Sequence, residues 1–472
     1  MDTETTTATR PRPRAQHVAY QTVGANRDKP RLWMEGSKLE SAGFAKGASY
    51  RAHTEGDTLI LTLDPAGTYR VSGKAKDGAE RALIDLRPDT KGLDLPVGAR
   101  VRVLFQPGTI RIRVHHEANA QQDRERIFRE RLGTGTLLEA SMFTGGAIST
   151  HAIHTACAHF GQKADLAWVV DADPGYLDVA ARGGHCITDR TMMLVGRAEE
   201  IEPVFYSKVD VLSFSMPCST FSKAGKAKHG QRPEEHEGAT ALFGTMAAIR
   251  AANPAVLVSE NVVEAQHAPA YVLLKAELAR LGYVVFERVM DARDTGSVEQ
   301  RSRYWFVALS AGIADGFDFS LVHKAALAPT PTVADLLDPP DTIPEEAWFD
   351  PAYFEEKAAS DAAAGKGFKR QVLTGVERAC GTIGRFYAKK RSTEPFLRRA
   401  DGMERLFTPR EHARMKSVPV DLIAAAGTTR AHEILGQSVD WRQAYVAMGA
   451  VLAHLLGRTA GDLAPRPPQG TA

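Results

Sequence analysis

Cys218 stands at the end of Val209-Asp210-Val211-Leu212-Ser213-Phe214-Ser215-Met216-Pro217, a short apolar run with β-branched and aromatic residues. Such a run predicts a buried strand, and Pro217, which has no N–H, takes the chain out of the sheet. The thiol therefore falls just past a carboxyl end, where open α/β sheets keep their ligands. Ser219, Thr220, Ser222 and Gly225 follow, with Lys223, Lys226, Lys228, His229 and Arg232 among them. Basic neighbours lower a thiol pKa and make a nucleophile; a small cysteine buried at a strand end is the plainer alternative.

Three further features end apolar runs. In Phe143-Thr144-Gly145-Gly146-Ala147 the glycines would let a ligand approach the backbone at a helix N-terminus. Asp171, with Asp173, lies at the distance from that turn where a ribose-binding acid sits in dinucleotide folds. Glu260-Asn261-Val262 follows Val256-Leu257-Val258-Ser259, and a carboxylate leaving an apolar strand is costly without a partner or a task. Each feature alone has an ordinary structural explanation. Four in order on one sheet predict a site.

The elements that must position them follow from periodicity. Between Thr134 and about Gly312 apolar runs alternate with longer amphipathic segments, the βαβ pattern of a parallel sheet. Expected strands are Gly135–Ser141, Leu166–Val170, Val209–Phe214, Ala255–Ser259, Tyr283–Val289 and Tyr304–Leu309. Upstream, residues 1–30 read as a disordered arm rich in Thr, Pro and Arg, and 31–116 as a β-rich accessory domain. In that domain Leu39-Glu40-Ser41-Ala42-Gly43-Phe44 and Leu93-Asp94-Leu95-Pro96-Val97-Gly98 each precede a strand pair, loosely resembling swapped-hairpin modules of bacterial DNA-binding regulators. A charged helical linker spans 117–133. Residues 134–312 and 411–458 form the central domain, 313–410 an insertion, and 459–472 a flexible tail. Within the insertion an acidic stretch gives way to a basic one interleaved with Phe368, Phe386, Tyr387 and Phe396, which could contact phosphates or simply be solvated.

At 472 residues the chain needs more than one core. Its net charge of +2 confines any nucleic-acid surface to a local patch. Four cysteines with no CxxC argue against a zinc site or a disulfide framework and fit a reducing cytosol. No run is long enough to cross a bilayer, and the first fifteen residues lack the apolar core of a secretory signal. The expectation is a soluble, cytoplasmic protein.

Five segments form an ordered series: Met216-Pro217-Cys218-Ser219-Thr220-Phe221-Ser222-Lys223-Ala224-Gly225; Glu260-Asn261-Val262; Arg301-Ser302-Arg303; Arg405-Leu406-Phe407-Thr408-Pro409-Arg410-Glu411; and Ile434-Leu435-Gly436-Gln437-Ser438-Val439. In this order they resemble the motifs of the C5-cytosine DNA methyltransferases, over roughly Thr136 to Leu456. Departures spare Cys218, Glu260 and Arg303. Ala147 and Ile148 stand where the family's loop has later glycines, and Ser141 where it has an acid. Ser219 and Glu299 replace glutamines, and Gly196-Arg197-Ala198-Glu199 lacks the family's adenine-contacting Asp.

The resemblance implies an α/β fold: a Rossmann-like S-adenosylmethionine-dependent sheet with helices on both faces, and a small target-recognition domain. It assigns Cys218 as nucleophile at cytosine C6, Glu260 as proton donor at N3, Arg303 to the O2 edge, and Arg301 to support or a phosphate. S-adenosylmethionine would lie against Phe143, Thr144, Gly145, Asp171, Ala172, Pro217, Gln437, Ser438 and Val439. Ser219, Ser222, Lys223, Thr382, Arg385 and Lys390 would touch double-stranded DNA. A monomer on DNA, in the bacterial nucleoid or phage-encoded, with a cognate restriction endonuclease and no membrane, completes the expectation. A tRNA cytosine-5 methyltransferase and a non-catalytic DNA-binding relative are the alternatives.

Overall fold

The computed structural model describes residues 17–76, 79–217, 237–324, 330–365 and 370–463. They fall into two compact units, Met1–Gln122 and Asp123–Ala472.

The N-terminal unit is built from ten strands: His17–Thr22 (β1), Gly24–Asn26 (β2), Lys29–Glu35 (β3), Ser49–Glu55 (β4), Thr58–Leu63 (β5), Tyr69–Arg70 (β6), Ser72–Lys76 (β7), Ala79–Leu86 (β8), Arg100–Gln106 (β9) and Thr109–Val114 (β10). Their two sheets run β1-β9-β10-β5-β4-β6 and β2-β3-β8-β7. Strict alternation buries Val101, Val103, Ile110 and Ile112. The two related phrases hold equivalent places before the β4–β5 and β9–β10 hairpins, and their Leu39, Phe44, Leu93 and Leu95 are buried. The expected disordered arm needs correction, because residues 17–30 are ordered. Ala19 and Val23 are buried, and β1 pairs with β9 from His17↔Phe105 to Thr22↔Arg100. A Pro- and Arg-rich start hid a short alternating run behind it. Residues 1–16 lie outside the described residues.

The second unit opens within the helix His116–Thr134, whose later part is more than a tether. Phe128 is fully buried, Arg124 donates to Ser310 Oγ (2.9 Å) and to Leu281 O (2.9 Å), and Arg131 pairs with Asp210 at 3.1 Å. The central sheet comprises Thr136–Met142 (β11), Lys163–Asp171 (β12), Met192–Val195 (β13), Val211–Phe214 (β14), Val256–Asn261 (β15), Tyr283–Met290 (β16) and Arg303–Ser310 (β17). Its order is β13-β12-β11-β14-β15-β17-β16. β17 is antiparallel to both its neighbours, and the other ladders are parallel. The six expected strands are therefore all present, and β13 was missed. Its four residues, Met192, Met193, Leu194 and Val195, are mostly exposed and show no buried pattern.

The helices Ile148–His159 and Trp441–Leu455 supply one apolar layer, and Ala241–Ala252 and Pro269–Arg280 the other. That is the doubly covered α/β sheet expected from the alternation. Ile313, Phe317, Phe319 and Val322 join the first layer, so the insertion begins later than residue 313. The insertion carries a three-stranded sheet of Gln371–Leu373 (β18), Pro395–Arg398 (β19) and Glu404–Arg405 (β20) over its own core of Leu373, Cys380, Ile383, Tyr387, Leu397 and Phe407. In the expected tail Leu463 is fully buried against Gly449, so the docked part reaches at least that far. Among the described residues no helix is long and apolar enough to cross a membrane.

Where the insertion rejoins the central domain, Arg405 makes a buried two-pronged pair with Glu411 (2.6 and 2.8 Å). Thr408 and Glu411 form a capping box at the helix Pro409–Met415. Behind this helix His412 Nδ1 and His432 Nδ1 lie 3.0 Å apart. Burial pushes His432 down to about 4, and burial with the nearby Lys416 cation pushes His412 further. The unfolded chain thus takes up protons below pH 6.5 that the folded one refuses. Stability present above pH 6.5 is lost as pH falls through about 4, by up to ~3 kcal/mol from His432. The expected result is a melting temperature that drops across this window and drops less in His432→Gln.

Candidate active site

Four strands deliver their carboxyl ends to one edge, and there a cavity of about 270 Å³ opens. After β11 the chain turns through Phe143 (φ 56°), Gly145 (φ 54°) and Ala147 (φ 57°) into the helix Ile148–His159. A Cβ on Gly145 would meet nothing within 4 Å, whereas one on Gly146 would strike Ile434 Cγ2 at 2.5 Å. The first glycine thus leaves ligand room and the second lets the C-terminal helix close in.

Asp171, at the end of β12, fixes this turn. Its carboxylate accepts from Gly145 N–H (2.7 Å) and Asp173 N–H (2.9 Å). Burial raises its pKa, and the backbone donors oppose that rise. Asp173 caps the helix Pro174–Gly183 and pairs with Arg430 at 2.9 Å, outside the cavity.

β14 is followed by Ser215, Met216 and Pro217, and β15 beside it ends in Glu260 and Asn261. Ser215 Oγ donates to Glu260 Oε1 (2.9 Å), and Arg303 Nε stands 3.5 Å from Glu260 Oε2. Glu260 is 7% exposed, and that Oε2 has no hydrogen-bond partner among the described residues. Asn261 Nδ2 donates to Met216 O (2.7 Å), which ties the two strand ends together. Cys218, Ser219, Ser222 and Lys223 lie outside the described residues, and Pro217 on the cavity wall is the last residue before them.

All nine expected cofactor residues line the cavity: Phe143, Thr144, Gly145, Asp171, Ala172, Pro217, Gln437, Ser438 and Val439, joined there by Glu260. Ser141 is on the wall as well, in the place of the family's acid. The nearest carboxylate behind it, Glu139, is buried and paired with His154 at 2.8 Å. Glu199 does not reach the cavity; it pairs with Arg197 at 2.8 Å and accepts from Thr240. Tyr176, Ser215, Trp305 and Ile434 also line the cavity and were not foreseen. Trp305 could have been, because it lies two residues after Arg303 and shares its face of the strand.

Arg301 is turned inward, 4% exposed, and donates to Gly436 O at 3.1 Å. Its contact is with the helix Thr428–Gln437. Gly436 itself packs on the insertion, and a Cβ there would lie 2.4 Å from backbone atoms of Gly384 and Arg385. Gly436→Ala is expected to lower stability by about 1–3 kcal/mol, read as a shifted denaturation midpoint.

Glu299, in the place of the family's glutamine, is fully buried. It accepts from Ile383 N–H (2.8 Å) and lies 3.5 Å from both Lys416 Nζ and Arg301 Nη1. These cations hold its carboxyl below the usual range against the cost of burial. Of the expected DNA contacts, Thr382, Arg385 and Lys390 are exposed, and Thr382 Oγ1 donates to Gln300 O at 2.7 Å. Many other basic groups of the stretch are already matched: Arg370 and Arg398 by Glu404, and Arg399 by Glu345 and Asp401.

The family model described as C-5 cytosine-specific DNA methylase matches residues 196–449, more than half of the chain. The chain belongs to this family. The methylase is 28% identical over 237 residues to type II methyltransferase M.NlaX of Neisseria lactamica, covering 49% of this chain and 72% of that protein. It is 27% identical over 244 residues to M.SsoII of Shigella sonnei, covering 49% and 60%. Among solved structures it is similar to the Entamoeba histolytica methyltransferase EhMeth (TM-score 0.54, 14% identity, 68% of this chain, 98% of that one). It is also similar to the S. pombe Dnmt2 methyltransferase (TM-score 0.51, 14% identity, 68% and 98%). At such identity these two share the methylase's fold. The curated matches cover about half of the methylase.

Proposed function

We propose that the methylase transfers a methyl group from S-adenosylmethionine to C5 of a cytosine flipped out of duplex DNA, as the modification enzyme of a type II restriction–modification pair. The observation that carries this is the shared cavity. Glycine turn, Asp171, C-terminal helix and Glu260 meet there, one residue from Cys218. The lining fits the cofactor: an aromatic ring, an open glycine, and the Asp171 carboxylate to attract a cationic sulfonium. When bound, S-adenosylmethionine supplies the methyl group.

The chain's own residues would do the rest. Cytosine C5 is a poor nucleophile until C6 is saturated. Cys218 thiolate adds to C6 while Glu260 delivers a proton to N3, leaving an enamine at C5 that takes the methyl group. Arg303 steadies charge on the O2 edge. Loss of the C5 proton to a base expels Cys218, and return of the N3 proton to Glu260 restores the neutral ring. Taking the base out of the stack costs a few kcal/mol, and exposed Thr382, Arg385 and Lys390 are suited to holding the opened duplex.

Duplexes carrying 5-fluorocytosine test this, because fluorine cannot leave as the proton does. With the methyl donor present, a denaturation-resistant adduct mapping to Cys218 is expected. Its absence across a library of duplex sequences, or its formation on tRNA alone, overturns the reading.

A further inference from the structure

The outward face of the N-terminal sheet has no part in the cavity. Alternation sends Val101, Val103, Phe105, Ile110 and Ile112 inward, so Arg100, Arg102, Arg111 and Arg113 project from the other side. Register sets them in rows. Tyr20 is opposite Arg102 and Arg102 opposite Arg113; in the next row Leu104 is opposite Arg111. Arg102, Leu104, Arg111, Arg113 and Thr58 line a depression of about 170 Å³. Arg113 is matched by Asp57 at 3.0 Å and Arg51 by Asp64 at 2.5 Å. Arg100, Arg102 and Arg111 join no ion pair among the described residues.

Arg102 faces Arg113 across the ladder, and like charges so placed are destabilising; Asp57 relieves Arg113, and an outside anion would relieve Arg102. Arginines at alternate positions of one strand are ~7 Å apart, a spacing that can follow successive phosphates along a nucleic-acid strand. Tyr20, 52% exposed, adds an aromatic surface at the edge, steadied edge-on by His115 at 5.0 Å. A basic sheet face with an aromatic margin, its apolar part limited to the row of Val18, Leu104 and Ile60, suits the phosphates of a polyanion. We propose that it grips the phosphate backbone of duplex DNA, independently of the target cytosine. This goes beyond methyl transfer: the N-terminal unit holds DNA of any sequence and raises the concentration of sites near the enzyme.

The test uses the full chain and a labelled duplex of A·T pairs alone, which offers no cytosine to the cavity. Binding is measured against salt for the parent, for Arg102→Ala with Arg111→Ala, and for the matching double lysine variant. The alanine pair is expected to bind more weakly and to lower the slope of log K on log salt by about 1.8, or ~0.9 per lost phosphate contact. The lysine pair should keep the slope. Unchanged melting temperatures exclude misfolding. An unaltered slope in the alanine pair overturns the proposal, as does a loss seen only with single-stranded RNA. Methyl transfer at saturating DNA is read separately and stays at the parent value, so failure of the catalytic reading is distinguishable.

Discussion

Replacing Glu260 by Gln is expected to lower the single-turnover methyl-transfer rate by roughly 10²–10⁴ while leaving DNA binding within a few-fold. Gln keeps the size of the side chain and an oxygen for Ser215, whose hydroxyl donates to Oε1 at 2.9 Å. It loses the ability to hold and release a proton at Oε2, the buried atom beside Arg303 that has no hydrogen-bond partner among the described residues. The reaction needs a proton at N3 when C6 becomes bonded to sulfur, and an amide cannot deliver one. Tritiated-methyl transfer under single-turnover conditions measures the loss. A rate within threefold of the parent would remove Glu260 as the acid.

Lys416→Met is expected to destabilise the methylase by about 3–5 kcal/mol, the cost of breaking a buried pair from one side. Lys416 is fully buried; burial and Arg301 push its pKa down to about 7, against the pull of Glu299. Its ammonium lies 3.5 Å from Glu299 and donates to Leu435 O (2.6 Å) and Ser438 O (2.9 Å). Those carbonyls end the helix whose Gln437, Ser438 and Val439 line the cavity, so weaker S-adenosylmethionine binding should accompany the lost stability. Glu299→Gln added to Lys416→Met removes the stranded carboxylate and puts back the amide that the family motif carries. The double variant is expected to recover at least half of the loss in chemical denaturation. An additive double variant would show that the two groups do not act as a pair.

Part of the cavity wall was legible in the sequence because those contributors end apolar runs or belong to a short ordered motif, whereas Tyr176 and Trp305 do neither. Phe143, Asp171, Pro217 and Glu260 are recognisable by what precedes them, and Gln437 to Val439 by their motif. What escaped is what depends on partners distant in the chain. Glu299 reads as a weakened glutamine until Lys416, far along the chain, is found against it. Arg301 reads as either a support or a phosphate contact until Gly436 O is found in front of it. β1 was lost to a compositional average over residues 1–30, since six ordered residues cannot outweigh a Pro- and Arg-rich start. The basic stretch of the insertion looked uniformly available. Glu345 and Glu404 neutralise part of it, and Arg385 and Lys390 stay exposed.

The reversed direction of β17 has one more consequence. Because Glu260 faces Trp305 and Asn261 faces Tyr304, Arg303 reaches the rim as the opening residue of its strand. A single residue inserted ahead of Arg303 and absorbed by a slip in this ladder would exchange the strand's two sides. The guanidinium would then point into the apolar layer, and the inserted residue or Ser302 would take its place at the rim. Length polymorphism should therefore be absent from the few residues before Arg303 in working copies, and tolerated at the exposed turn around Gly316 beyond the strand's far end.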